Sequence, residues 1–143
     1  MTLPGSFYRT AGTASILSAA TTLILIFGPE FYAAVPDGLE GRMRRVADPA
    51  YQLRAWTYFI HPFLVFTACV GLAFACRRAA PALALFGLLA MGLWAVTEAA
   101  QQALTLFAFD DWRRAWLAGD AAARATMEVR AAIYDGLWEA AYS

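Results

Sequence analysis

Residues 54–109 constrain this chain more than any other stretch. They read RAWTYFIHPFLVFTACVGLAFACRR, then AAP, then ALALFGLLAMGLWAVTEAAQQALTLFAF. Thr57–Ala75 and Ala79–Thr97 carry no formal charge, and each approaches the roughly 20 apolar residues needed to cross a bilayer. Only Arg77, Arg78, two alanines and Pro81 lie between them. A connection that short makes the two helices antiparallel neighbours. Composition agrees: 61% of residues are hydrophobic and 15% charged, against about 45–50% and about 25% for an average globular chain. The expected class is an all-α integral membrane bundle, read as one domain over residues 1–143.

All 11 basic residues are arginine, balanced by 11 acidic ones. Without lysine or asparagine, Schiff-base chemistry, P-loops and N-glycosylation are excluded. A net charge of zero with no isolated basic block argues against nucleic acid as a partner. Cys69 and Cys76 fall on one face of a single helix and cannot pair without breaking it; they read as small, soft fillers.

Taken in order, residues 1–8 form a lead-in with Phe7 and Tyr8 at interface depth. A first helix is expected over about 9–34. It resembles a signal segment only in its short n-region and apolar core, and is expected to stay as a membrane helix. Gly12, Ser15, Ala19 and Thr22 form a stripe suited to close helix packing, and Gly28-Pro29 should end or kink the regular part. Residues 35–50, with two prolines, two glycines and a run of charges, read as a water-exposed loop. Asp48-Pro49 then signals a helix start, giving a second helix over about 49–78. A third runs over about 81–109. Residues 110–120 mix two tryptophans with two arginines and three aspartates, as an interfacial segment does. Asp120 caps a fourth helix over about 121–142, with Arg124, Glu128, Asp135 and Glu139 on one stripe and Val129, Ile133 and Leu137 opposite. That helix is amphipathic: it can lie in the interface, dock on the other three, or cross with its polar stripe inward. Arginine counts place the loop side in the cytoplasm, while Arg77 and Arg78 at tight helix ends point the other way.

Polar residues interrupt the apolar hairpin at a few places, and their depths coincide. Counting from the turn, His61 is level with about Val96 and Glu98 with about Phe59, so the two lie within roughly 3 Å of each other in depth. Arg54 is level with Ala103, beside Gln102. Trp94, Glu98, Gln101, Gln102 and Thr105 share a face by helical spacing, as do Arg54, Tyr58 and His61. The expected arrangement pairs His61 with Glu98, and Arg54 with Gln102 or Glu30. Pro62 leaves the Tyr58 carbonyl without its helical donor one turn away. An ionisable group in a bilayer is costly and persists when paired, neutralised or facing a cavity, which makes Glu98 the chief candidate.

Other chemistry finds little to stand on. One histidine gives haem a single axial ligand unless a methionine or a second chain supplies the other, and no spacing supports a zinc site. No cofactor or metal is therefore expected. No nucleophile elbow or phosphate loop occurs.

The expectation is a small polytopic membrane protein that binds a hydrophobic or amphipathic ligand, or a partner subunit, through a polar cluster between the second and third helices. Its site residues are Arg54, Trp56, Tyr58, His61, Trp94, Glu98, Gln101 and Gln102, and a cationic ligand would find aromatic faces there. The alternatives are an intramembrane enzyme using His61 and Glu98 as acid and base on a lipid-like substrate, and a structural subunit docking on a partner or a second copy through the fourth helix. The reading leans away from an enzyme. In general look, short, Arg-rich and Ala-rich with several spans, the chain resembles many small bacterial membrane proteins, so a bacterial inner membrane is the expected location.

Overall fold

The computed structural model describes residues 4–142; the first three residues of the lead-in and Ser143 lie outside the described residues. Among the described residues the fold is all-helical, without strands. Three helical stretches are long and apolar enough to cross a bilayer: Gly5–Phe31, Pro49–Cys76 and Pro81–Ala118.

Helix α1 (Gly5–Phe27) starts earlier than Arg9. Pro4 is its N-cap, with extended backbone, and nothing in Gly5–Tyr8 opposes a helix. Gly28-Pro29 tightens the chain into a 3-10 turn, Gly28–Phe31, and Tyr32 is extended. The helix therefore ends short of Ala34, since Pro29 has no N–H with which to continue the ladder. Within the expected loop a short helix α2 (Leu39–Arg44) forms.

Asp48 caps helix α3 (Pro49–Cys76) by accepting from the Ala50 N–H at 2.9 Å. Its other oxygen accepts from the Ala33 N–H at 2.7 Å, tying the end of the α1 segment to the start of α3. Burial pushes this carboxyl up, but the N–H groups of Ala33, Ala50 and Tyr51, with Arg45, outweigh it and hold it below its ordinary value. α3 continues through the buried Pro62. At its far end Ala79 and Ala80 both donate to the Cys76 carbonyl at 3.0 Å, closing the hairpin.

Helix α4 (Pro81–Leu104) passes through a π-helical turn, Thr105–Phe109, directly into α5 (Asp110–Ala118). The segment read as interfacial, residues 110–120, thus begins as a continuation of the third long helix. Its two tryptophans have apolar cover there: Trp116 is buried, and Trp112 packs against the same cluster. Helix α6 (Ala121–Tyr142) is capped by Asp120, which accepts from the Ala123 N–H at 2.9 Å.

α3 lies between α1 and α4 and is antiparallel to both. On the α1 side, a Cβ at Gly71 would stand 2.3 Å from the Ala11 Cβ. The two backbones approach closely there, and only glycine fits. The packed stripe of α1 begins with Ala11 and Ala14, not with the expected Gly12 and Ser15, which are exposed. On the other side Phe66 of α3 lies over Gly92 of α4. The buried core gathers at the end where α2, α5 and α6 meet, as Met43, Phe109, Trp116 and Ala131. α6 packs on α5 through Met127, Ala131 and Tyr134, and two exposed polar side chains at the edge of that face bond Trp116. Glu128 accepts from the Trp116 indole N–H at 3.2 Å, and Arg124 donates to the Trp116 carbonyl at 3.2 Å. The outer apolar stripe of α6 faces away from the protein: Val129, Ile133 and Leu137 are 61%, 60% and 68% exposed.

Candidate functional site

A cleft of about 400 Å³ opens where the C-terminal end of α1, the start of α3, the π turn and α6 converge. Arg54, Tyr58, Glu98 and Gln102 line it, together with Tyr32, Tyr51, Thr105, Phe109, Arg113, Tyr134 and Asp135.

Local sequence explains how Arg54 is held. A carbonyl in α1 accepts from the N–H four residues on. For Leu25 that residue is Pro29, which has none. Arg54 supplies the missing donor: its Nε donates to the Leu25 carbonyl at 2.9 Å, and its Cδ lies 3.0 Å from where a Gly28 Cβ would stand. Nη1 donates to the Tyr32 hydroxyl at 3.3 Å and Nη2 to the Tyr58 hydroxyl at 3.2 Å. The guanidinium also lies 4.7 Å from the centre of the Tyr58 ring. All these acceptors are neutral.

The opposite wall belongs to α4. Glu98 Oε1 accepts from the Gln102 amide at 3.0 Å, and Gln102 is buried. One turn on, Thr105 Oγ1 lies 2.6 Å from the Tyr134 hydroxyl, joining the π turn to α6. Phe109 stacks on Tyr134 with ring centres 4.4 Å apart. Burial pushes the Tyr134 phenol above its ordinary value. π turns are frequent at functional sites because they re-aim side chains out of helical register.

The floor is a buried ion pair. Asp110 is fully buried; its Oδ1 accepts from Arg113 at 3.1 Å and from the Tyr51 hydroxyl at 3.2 Å, and its Oδ2 from Gln52 at 3.0 Å. Arg113 also donates to the Tyr51 hydroxyl and lies 4.3 Å from the centre of the Phe109 ring. At the rim Arg42 pairs with Asp135 at 2.7 Å.

Four of the eight residues expected at a site thus face this cleft. His61 does not: its Nδ1 lies 2.7 Å from Thr21 Oγ1 of α1. The expected pairing with Glu98 is not made, because the imidazole turns to the other neighbour of α3. Arg54 pairs with neither Gln102 nor Glu30: three of its five N–H donors go to the Leu25 carbonyl and the Tyr32 and Tyr58 hydroxyls. Trp56 points outward into an aromatic cluster with Phe59 and Phe107, at 6.1 and 5.8 Å. Trp94 is 38% exposed, and neither it nor Gln101 lines the cleft. Sequence reasoning missed Tyr51, Asp110, Arg113 and Tyr134. The signal for the middle pair was the i, i+3 spacing of Asp110 and Arg113, legible only with the third helix extended past Phe109.

Among the described residues no group of three or more His, Cys, Asp or Glu side chains is placed to hold a metal ion. The arrangement suits recognition: two guanidinium groups, two unspent faces of hydrogen-bonding side chains on α4, and four tyrosines around one opening. The chain matches no known protein family, no curated protein and no solved structure.

Proposed function

We propose that this is an integral membrane protein that binds an amphipathic small molecule, with the polar head of the ligand in the cleft and its apolar part along the exposed faces of the long helices. Membrane insertion is supported by three long apolar helices whose large side chains point outward, among them Ile16, Leu83, Phe86, Leu93 and Val96. A soluble protein does not leave so much contiguous apolar surface in water.

The observation that carries the ligand reading is the cleft itself. Polar and charged side chains from α3, α4, α5 and α6 converge on about 400 Å³, which falls within the range of small-molecule sites. The same side chains sit at the end of apolar helices, so a bound molecule meets polar and apolar surface together. The acid–base alternative draws less support, because no hydrogen bond joins His61 to Glu98 and only Glu98 lines the cleft.

Native mass spectrometry of the protein from mild detergent tests this. The expected result is a small amphiphile retained at one per chain and lost when Arg54 is replaced by methionine. A chain that carries only detergent, or exchanges all lipids equally, would refute the ligand reading.

A further inference from the structure

Resting on that reading, we infer that the ligand head carries both charges: a phosphate or carboxylate held by Arg54, and a primary ammonium held by Glu98. The observation is a mismatch in the pairing of charges around the cleft. Arg113 is paired with Asp110 and Arg42 with Asp135. Arg54 and Glu98 line the same opening with opposite charges, and among the described residues neither has an ion-pair partner. They do not pair with each other, so their charged atoms are more than 4.0 Å apart.

Charge in an apolar setting persists when something answers it. An anionic ligand answers Arg54 but places like charge near Glu98. A cationic ligand answers Glu98 and is repelled by Arg54. A zwitterion with its charges several ångströms apart answers both. The type of cation follows from the acceptors. Glu98 has carboxylate capacity beyond its one bond from Gln102, and Gln102 adds an amide carbonyl on the same wall. These suit the three N–H donors of a primary ammonium; a trimethylated ammonium offers none. On the other wall Arg54 Nη1 and Nη2 each keep one N–H beyond their bonds to Tyr32 and Tyr58, and these donors suit phosphate or carboxylate oxygens. The phosphoethanolamine head of a phospholipid has this chemistry, and so does free phosphoethanolamine.

The test is a titration of the full-length protein in mild detergent with short-chain phosphatidylethanolamine, phosphatidylcholine and phosphatidylglycerol, and with free phosphoethanolamine, read by native mass spectrometry. The ethanolamine lipid should bind about tenfold or more tighter than the other two, the scale of one charge-assisted hydrogen bond. Glu98→Gln should erase the preference for ethanolamine over choline and leave phosphatidylglycerol binding in place. Arg54→Gln should weaken all three lipids. Free phosphoethanolamine binding as tightly as the lipid would keep the zwitterion and make the ligand a soluble one. Equal or tighter binding of phosphatidylglycerol by the wild-type protein overturns the inference without any variant having to fold. Binding of none of the four overturns the ligand reading beneath it.

Discussion

At the scale of single residues, three carboxylates do different things. Asp110 is fully buried and accepts three side-chain hydrogen bonds, from Arg113, Tyr51 and Gln52. Removing one member of a buried ion pair leaves the other uncompensated and costs about 3–5 kcal/mol. Asp110→Ala should therefore destabilise the protein by about that much in chemical unfolding from detergent, whereas Glu98→Gln, which breaks no ion pair, should change stability by less than about 1 kcal/mol. Equal costs for the two substitutions would show that Glu98 is structural. Asp48, the third, joins two elements through the Ala33 and Ala50 N–H groups. Only part of this was legible beforehand. Asp48-Pro49 is a local signal and needs no tertiary knowledge. Glu98 stands out because it interrupts an apolar run. Asp110 looks like the exposed Asp111 beside it, and only the helical phase set by the π turn separates them.

At the scale of elements, what decides packing is which small residues meet. The four-residue stripe Gly12, Ser15, Ala19 and Thr22 and its neighbour Ala11, Ala14, Ser18 and Thr21 are equally rich in small side chains. Sequence periodicity cannot choose between stripes one residue apart; the partner does. Thr21 reaches His61, Leu25 offers Arg54 its carbonyl, and Ala11 meets Gly71, which together fix the rotation of α1. Gly71→Ala should then cost about 1–3 kcal/mol through overpacking, and Ala11→Gly should recover much of it. Gly12→Ala, which meets open space, should be neutral or slightly stabilising. Thermal unfolding of Gly71→Ala, of Gly71→Ala with Ala11→Gly, and of Gly12→Ala reads this directly, and a harmful Gly12→Ala with a harmless Gly71→Ala would mean that α1 packs on its other stripe. The hairpin of α3 and α4 was easier to foresee, since two apolar runs joined by a tight turn admit one arrangement. Where the third helix ends was not, because its charged final turns break the apolar pattern without breaking the helix.

At the scale of the whole molecule, α6 decides how the protein sits in its surroundings. An amphipathic helix on a soluble core turns its apolar stripe inward. Here α6 has apolar residues on two sides: Met127, Ala131 and Tyr134 pack on the core, Arg124 and Glu128 lie exposed at the edge of that face where they reach Trp116, and Val129, Ile133 and Leu137 face out. The aromatic side chains Tyr32, Tyr51, Trp112 and Trp116 mark the same end of the molecule, the depth at which such rings gather in a bilayer. In the proposed membrane this arrangement would set α6 in the interface, its outer apolar stripe toward the acyl boundary and the cleft beside it at headgroup level. A bound amphiphile could then enter from the bilayer without crossing water. Single cysteines at Val129, Ile133 and Leu137, in a Cys69→Ala/Cys76→Ala background and labelled with an environment-sensitive fluorophore, should be quenched by brominated lipid as strongly as one at Phe107, which is 56% exposed on α4's continuation. A cysteine at Arg44, also exposed, should not be quenched. Quenching at Phe107 with none at the three α6 positions would put that stripe against a protein partner or in water, and would close the lateral route to the cleft.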